Sequence, residues 1–369
     1  MILQGAVRSE ESCMRGMITN MSEVQIVNIR EIQERMTRIY VKAGIPQEDA
    51  EVIVDTLVEA ELEGRESHGL MRFAPLYRRI LSGGITKTPN ISTERIGTNL
   101  YTVDGDNAAG AVLAARVMKF CEEVAKENGT AIAAVKNANH LGAAGYYTSR
   151  AAKNGFFAFL ATNAGPGVAP TGGMSKLLGT SPFSVSFPAG KYDHFTLDIA
   201  TSASAYGKIM MYAKEEKEIP LGWAMDENGY DTTNAQAAVD AFNKGVGILP
   251  MAAHKGMGIS MIIDVLAGLL SGAKFSCEVS NAFTMSKSSG VGFFYIVMDI
   301  ERFMSLNAFT SRVEKWFDLM KNDKCRPGST GIFVPGELEN ARLNHAGDTM
   351  KVFSGTIDEI EKIESEMTL

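Results

Sequence analysis

Histidine is scarce in this chain, with five in 369 residues, and cysteine is scarcer still, with four. Cys13, Cys121, Cys277 and Cys325 are scattered, with no C-x-x-C pair and no histidine nearby at ligand spacing. That excludes a zinc ribbon or a disulfide scaffold; free thiols in a reducing cytoplasm are expected, and no metal site. No apolar run reaches the ~18–20 residues needed to span a bilayer. The first twenty residues lack a continuous apolar core and carry Glu10 and Glu11, so they do not read as a signal peptide. Positive charge is not in excess: 36 Lys and Arg face 43 Asp and Glu, a net charge of −7. A nucleic-acid or anionic-membrane partner is not expected, because neutralising phosphates takes clustered cations. Despite 36 glycines, no G-x-G-x-x-G follows a strand pattern and no G-x-x-x-x-G-K-[ST] occurs. Any dinucleotide must therefore be held without a Rossmann fingerprint or a P-loop.

What is present is an ordinary globular composition, 45% hydrophobic and 21% charged, with length for one large core or two to three smaller ones. Residues 1–23 read as a disordered extension. Asn28 can cap a helix running to about Ala43, and Pro46 and Gln47 open a second through about Glu63. A third helix, Phe73 to Leu81, stops at Gly83-Gly84, so 24–90 reads as an N-terminal helical unit. From about Ile91 strands and helices alternate. Strands are expected at Asn99–Asp104, Ala131–Val135, Phe156–Ala161, Phe183–Phe187, Phe195–Asp198 and Phe293–Met298. Helices are expected at Val112–Lys126, Gly142–Lys153, Ser202–Glu216 and Met257–Leu270. Residues 91–300 thus read as an α/β domain with mixed rather than purely parallel strands. The segment 301–369 reads as helical and is expected to pack back on the N-terminal unit.

Two histidines sit beside glycines, a hydroxyl and small residues, in Glu66-Ser67-His68-Gly69-Leu70-Met71-Arg72 and Asn137-Ala138-Asn139-His140-Leu141-Gly142-Ala143-Ala144-Gly145. Imidazole changes protonation near neutral pH, which suits proton transfer at a carbon–oxygen bond. If Gly69 to Phe73 is helical, Arg72 projects on the side of His68 and could grip a carboxylate, with Ser67 orienting the ring. The same pattern could be a helix cap beside a surface arginine. His140 precedes a small-residue helix start, suited either to a phosphate or to close packing. Asp198, at a strand end, could accept a ribose hydroxyl or cap the following helix. Lys208 could place a cation in a pocket, and Lys255 could meet a phosphate at the head of a buried helix. His194 and His345 stand alone and carry no assigned role.

Taken in order, these stretches resemble the type-2 malate/L-lactate dehydrogenases, a family that includes ureidoglycolate and sulfolactate dehydrogenases, a diketogulonate reductase and cyclic-imine reductases. The resemblance rests on Ser67-His68-Gly69 with Arg72, Asn139-His140 with Gly142-Ala143, Thr162-Asn163, and Val168 to Gly173. It continues through Leu178-Gly179-Thr180, Leu197 to Ser202, Gly207-Lys208-Ile209, Ile219 to Ala224, His254 to Gly258, Asp264 to Gly268 and Pro335-Gly336-Glu337. Each stretch is weak alone, but the ordered set spans about Ile29 to Leu343.

The resemblance implies hydride transfer between NAD or NADP and a small 2-hydroxy/2-oxo acid, in a non-Rossmann fold and usually a homodimer. Malate/oxaloacetate is the first expectation, with ureidoglycolate, lactate and sulfolactate as alternatives and a non-catalytic binding protein outside the class. It implies His68 as proton donor and acceptor, Ser67 orienting it, and Arg72 and Thr162 on the substrate. His140 is the rival acid/base and otherwise lies near the nicotinamide or pyrophosphate. The cofactor contacts carried over are His140, Leu141, Gly142, Ala143, Ala144, Asp198, Ile199, Ala200, Lys255 and the Ser288–Gly292 loop with Ser289 and Gly290. Three departures stand out. Lys208 occupies the position where imine reductases carry an aspartate, and a cation there suits an anionic oxyacid. Asp231-Thr232-Thr233-Asn234 replaces Pro-Thr-Thr-Asp, and Ser289-Gly290 stands where relatives often carry Arg-Asn.

Overall fold

The computed structural model describes residues 23–280 and 284–367; the extension expected at 1–23 lies outside them except for Glu23. Strand β1 (Val24–Asn28) pairs antiparallel with β13 (Thr349–Phe353), so both ends of the described chain join one unit. Asn28 then caps α1 (Ile29–Lys42) by accepting the Glu31 N–H. Helix α1 buries Ile32, Met36 and Ile39 against α2 (Gln47–Leu62) and α3 (Phe73–Leu81). The closing helix α11 (Ser354–Glu366) adds Ile357, Ile360 and Ile363 to the same core, and Glu364 meets Arg35 at 2.7 Å.

Seven strands form the main sheet, in the order β2 (Ser92–Arg95), β3 (Leu100–Asp104), β4 (Thr130–Ala138), β12 (Val291–Asp299), β5 (Phe156–Thr162), β8 (Phe183–Gly190), β9 (Asp193–Ile199). Only β3 and β4 run parallel, so the sheet is mixed and not Rossmann-like. Central β12 is almost continuously apolar because both its faces are covered. On one face lie α4 (Gly110–Asn128) and α5 (Gly145–Lys153). On the other lies α8 (His254–Ile263), which continues as a π-helical stretch, Asp264–Leu269. A Cβ at residue 292 would stand 1.8 Å from the Ala267 carbonyl oxygen, so Gly292 lets that helix rest directly on the sheet.

Two features depart from the sequence reading. A small lobe has its own core of Val168, Ile209, Ile219, Ala224, Ala235, Ala238 and Ile248. It contains β6 (Pro166–Val168), β7 (Leu178–Gly179), α6 (Tyr206–Lys214), the β10 (Ala224–Met225)/β11 (Asp231–Thr232) hairpin and α7 (Ala235–Asn243). Helix α6 starts four residues later than expected, because the Ser202 hydroxyl donates to the Ser204 carbonyl and holds the chain out of the helix. The C-terminal segment also divides. Helix α9 (Leu306–Lys321) seats Val313 and Phe317 against Ala189 at the sheet, whereas β13 and α11 return to the N-terminal unit and α10 (Glu337–Asn344) lies between. Among the described residues, no helix is long and apolar enough to cross a membrane.

Candidate active site

After α2 the chain makes two single 3-10 turns, Glu66–His68 and Leu70–Arg72, so the condition considered for Gly69 to Phe73, a helix, is not met before α3 begins at Phe73. The cause is Glu61, buried near the end of α2, whose carboxylate accepts the Leu70 N–H at 2.9 Å. A Cβ at residue 69 would fall 2.1 Å from that carboxylate, so only glycine lets the turn wrap over it. Burial first of all pushes the Glu61 carboxyl up to about 7. The turn is closed by Arg72, whose Nε donates to the Ser67 carbonyl at 2.7 Å. Ser67 Oγ lies 3.0 Å from His68 Nδ1. That contact is the one expected of an orienting hydroxyl.

The second histidine is delivered by β4. Past its end, Gly142 adopts φ +86° and its N–H donates to His140 Nδ1 at 3.2 Å. Helix α5 therefore begins at Gly145 rather than Gly142. A Cβ at residue 110 would stand 2.2 Å from the Asn139 carbonyl oxygen, so Gly110 lets α4 begin against this turn. The two imidazoles stack, with centroids 5.5 Å apart and planes 26° apart. They share a narrow cavity of about 50 Å³ with Arg72, Arg79 and Ala109–Ala111 at the head of α4.

Both histidines are held below their ordinary range. For His68, loss of solvation acts first, followed by the charges of Arg72 and Arg65. For His140, loss of solvation is again first, followed by Arg72, His68 and Arg79. His68 is half-buried and His140 keeps an exposed edge, so solvent tempers both shifts, and their common direction is what counts. Both rings are therefore neutral near pH 7.

The other expected residues are placed as follows. Leu141, Ala143 and Ala144 are buried, leaving His140 and Gly142 as the parts of that turn that reach the surface. Asp198 caps the helix head at Gly145, accepting its N–H at 2.9 Å, and not the helix that follows it in sequence. Asp198 also pairs with Arg65, and both bonds fall on Oδ2. The helix head read as suited to a phosphate or to close packing thus gives its Gly145 amide to a carboxylate. Ile199 and Ala200 are half-buried just beyond it. Lys208 is exposed on the small lobe, its ammonium 5.1 Å from the centre of the Trp223 ring. Thr162 is buried and spends its hydroxyl proton on the Asn163 carbonyl at 3.0 Å, so toward a ligand it can only accept. Lys255 is exposed in the first turn of α8. Ser289 is buried, its hydroxyl accepting from Arg79 at 3.0 Å, and Gly290 beside it takes φ +68°. The sequence reading missed Glu61, Arg65 and Arg79, and quoted Asn139 only as part of a motif, without a role. For Arg79 a signal existed, since it follows Arg72 by about two helical turns.

The sequence profile described as malate/L-lactate dehydrogenase matches residues 27–360. A malate dehydrogenase of Pyrococcus horikoshii is 38% identical over 309 residues, 82% of this chain and 84% of that protein. A ureidoglycolate dehydrogenase (NAD(+)) of Escherichia coli is 31% identical over 306 residues, 83% of this chain and 86% of that protein. The solved structure of sulfolactate dehydrogenase from Methanocaldococcus jannaschii superposes with a TM-score of 0.88 at 30% identity, covering 94% of this chain and 98% of that one. With the stacked histidines, the neighbouring arginine and the mixed sheet, these matches place the chain in the malate/L-lactate dehydrogenase family.

Proposed function

We propose that this protein moves a hydride between NAD or NADP and a small 2-hydroxy acid, malate first, with His68 as the acid/base. The carrying observation is the unequal partnering of the two Nδ1 atoms. His68 Nδ1 faces the Ser67 hydroxyl, which can turn to donate or accept as the ring changes state. His140 Nδ1 faces the Gly142 N–H, which can only donate. Protonating His140 there would set two donors against each other, so His140 stays neutral with its proton on Nε2. His68 alone can gain and lose a proton without breaking its contact.

In oxidation, neutral His68 takes the hydroxyl proton on Nε2 while Nδ1–H donates to Ser67 Oγ. His140, through Nε2–H, donates to the same substrate oxygen as negative charge develops there. Arg72 holds the C1 carboxylate, and after burial, the larger cause, its charge helps keep His68 deprotonated and ready. In reduction the substrate carboxylate offsets Arg72, which lets His68 be protonated before it donates. Bound NAD(P) supplies or accepts the hydride at the nicotinamide ring.

The residues present fit a dinucleotide. A Cβ at Gly142 would meet nothing within 4 Å, so the rim beside His140 is open to a flat ring. Lys255 at the head of α8 suits a phosphate. Asp198 uses only Oδ2 in its two bonds, which leaves Oδ1 for a ribose hydroxyl. The His140–Ala144 turn and Ser289–Gly290 complete the contacts. Lys208 is left outside the proton path, because its ammonium sits over Trp223. Malate is favoured because the cavity lining holds Arg72 and no acid, and α4, without a side-chain cap, opens its amide end onto it. Two carboxylates suit that surface better than one. The acidic balance argues against a nucleic-acid partner, and the family resemblance supports a cytoplasmic homodimer.

The test is oxidation of NADH and of NADPH with oxaloacetate, pyruvate and sulfo- or ureido-substituted oxo acids, using wild type and His68→Ala. Turnover of oxaloacetate that is lost in the variant is expected. Turnover that survives unchanged would transfer the acid/base role to His140, and silence on every oxo acid would overturn the assignment.

A further inference from the structure

We propose that Arg79, a residue outside the expected site, is a positioning residue that locks the His140 turn to the 287–290 segment and so fixes the spacing of two walls of the cofactor site. The proposal rests on the dehydrogenase reading above, which places the cofactor against both segments.

Arg79 lies on α3, is 3% exposed, and lines the same cavity as Arg72 and the two histidines. Its guanidinium is committed to oxygens of three separate segments. Nη2 donates to Asn139 Oδ1 at 2.8 Å, immediately before His140. It also reaches the Lys287 carbonyl at 3.0 Å and the Gly84 carbonyl at 3.4 Å, while Nη1 donates to Ser289 Oγ at 3.0 Å. The Ser289 N–H adds a longer bond to the same Asn139 oxygen, at 3.4 Å. Asn139 is itself fixed from the other side, its Nδ2 contacting Asn107 O, Asn107 Oδ1 and Ala108 O at 2.9–3.0 Å. One buried cation therefore ties α3, the end of β4, and the approach to β12.

These four acceptors are neutral, and removing water from the guanidinium pushes its pKa down to about 10. Holding loops together does not by itself call for a buried charge, since such a charge is costly to desolvate. A planar fork suits this junction, because Nη1 takes the Ser289 hydroxyl while Nη2 takes the other oxygens, a division that the single nitrogen of a lysine lacks. Because both Nη groups are taken by protein oxygens, Arg79 holds the walls, and gripping the substrate is left to Arg72.

The prediction is a split between cofactor and substrate effects. In Arg79→Lys and Arg79→Gln, binding of NADH or NADPH is measured by fluorescence without oxo acid, followed by kcat and both KM values, with melting curves as control. The expected result is a cofactor Kd and KM raised by about tenfold or more, with the oxo-acid KM within about threefold of wild type. Lysine should recover part of the loss. If folded variants keep wild-type cofactor affinity, or if only the oxo-acid KM rises, the proposal is overturned. If wild type itself binds neither dinucleotide, the dehydrogenase reading falls first, and the proposal with it.

Discussion

The turns that carry His68 and His140 meet in one cavity, yet they are built in opposite ways. The His68 turn is two short 3-10 segments between helices, folded over the carboxylate of Glu61. The His140 turn ends a nine-residue strand inside the main sheet. At the first, imidazole meets a rotating hydroxyl; at the second, it meets a fixed amide. The same side chain is thereby given a changeable protonation state at one place and a single state at the other. Burial and the Arg72 charge act on both rings in the same direction, so they cannot separate them. The hydrogen-bond partner at Nδ1 can.

The largest expected effect is at the changeable ring. His68→Ala should lower kcat by about 10²–10⁴ in both directions, as loss of a general acid/base does. In wild type, kcat/KM for oxo-acid reduction should fall as pH rises through neutrality, by about tenfold per unit, since the protonated fraction of a depressed His68 falls at that rate. Oxidation should stay flat over that range and drop only at acid pH, where the base is lost. Next in size, Arg72→Gln should cost about 10–100-fold in kcat/KM, chiefly through the oxo-acid KM, from loss of a charge-assisted grip. His140→Asn keeps a donor and should cost less, about tenfold, with the pH profile of reduction unchanged. A profile that flattens in this variant would reverse the roles of the two rings. Smallest is Ser67→Ala, expected to lower kcat by about two- to tenfold, the worth of one neutral hydrogen bond.

The contrast between the turns was partly legible in the chain. Ser67 beside His68, and Arg72 a turn later, are local relations, and local spacing carries over into structure. A mixed sheet was expected and is found, although alternation of strand and helix patterns alone suits a parallel sheet as well, and the missing glycine-rich turn excluded only a Rossmann fingerprint. What depended on distant partners was not. Asp198 lies 133 positions from Arg65 and finds its helix head in Gly145, which no spacing discloses. Arg78 and Arg79 are adjacent in the chain, yet Arg78 faces Glu359 at the surface while Arg79 is buried, a difference set by which distant elements cover the helix. The start of α5 moved because Gly142 turned its amide back to His140, a bond that forms only in the left-handed conformation of that glycine. The small lobe was missed because its core is assembled from short, separated pieces.

The most direct measurement is the NMR titration of the imidazoles in the full-length protein, with and without a non-reactive dicarboxylate. Only five histidines contribute signals, and the His68→Ala and His140→Asn variants assign two of them. On ligand binding near neutral pH, His68 should gain a proton while His140 remains the neutral Nε2–H form. A proton gained by His140, with His68 unchanged, would contradict the assignment of the acid/base.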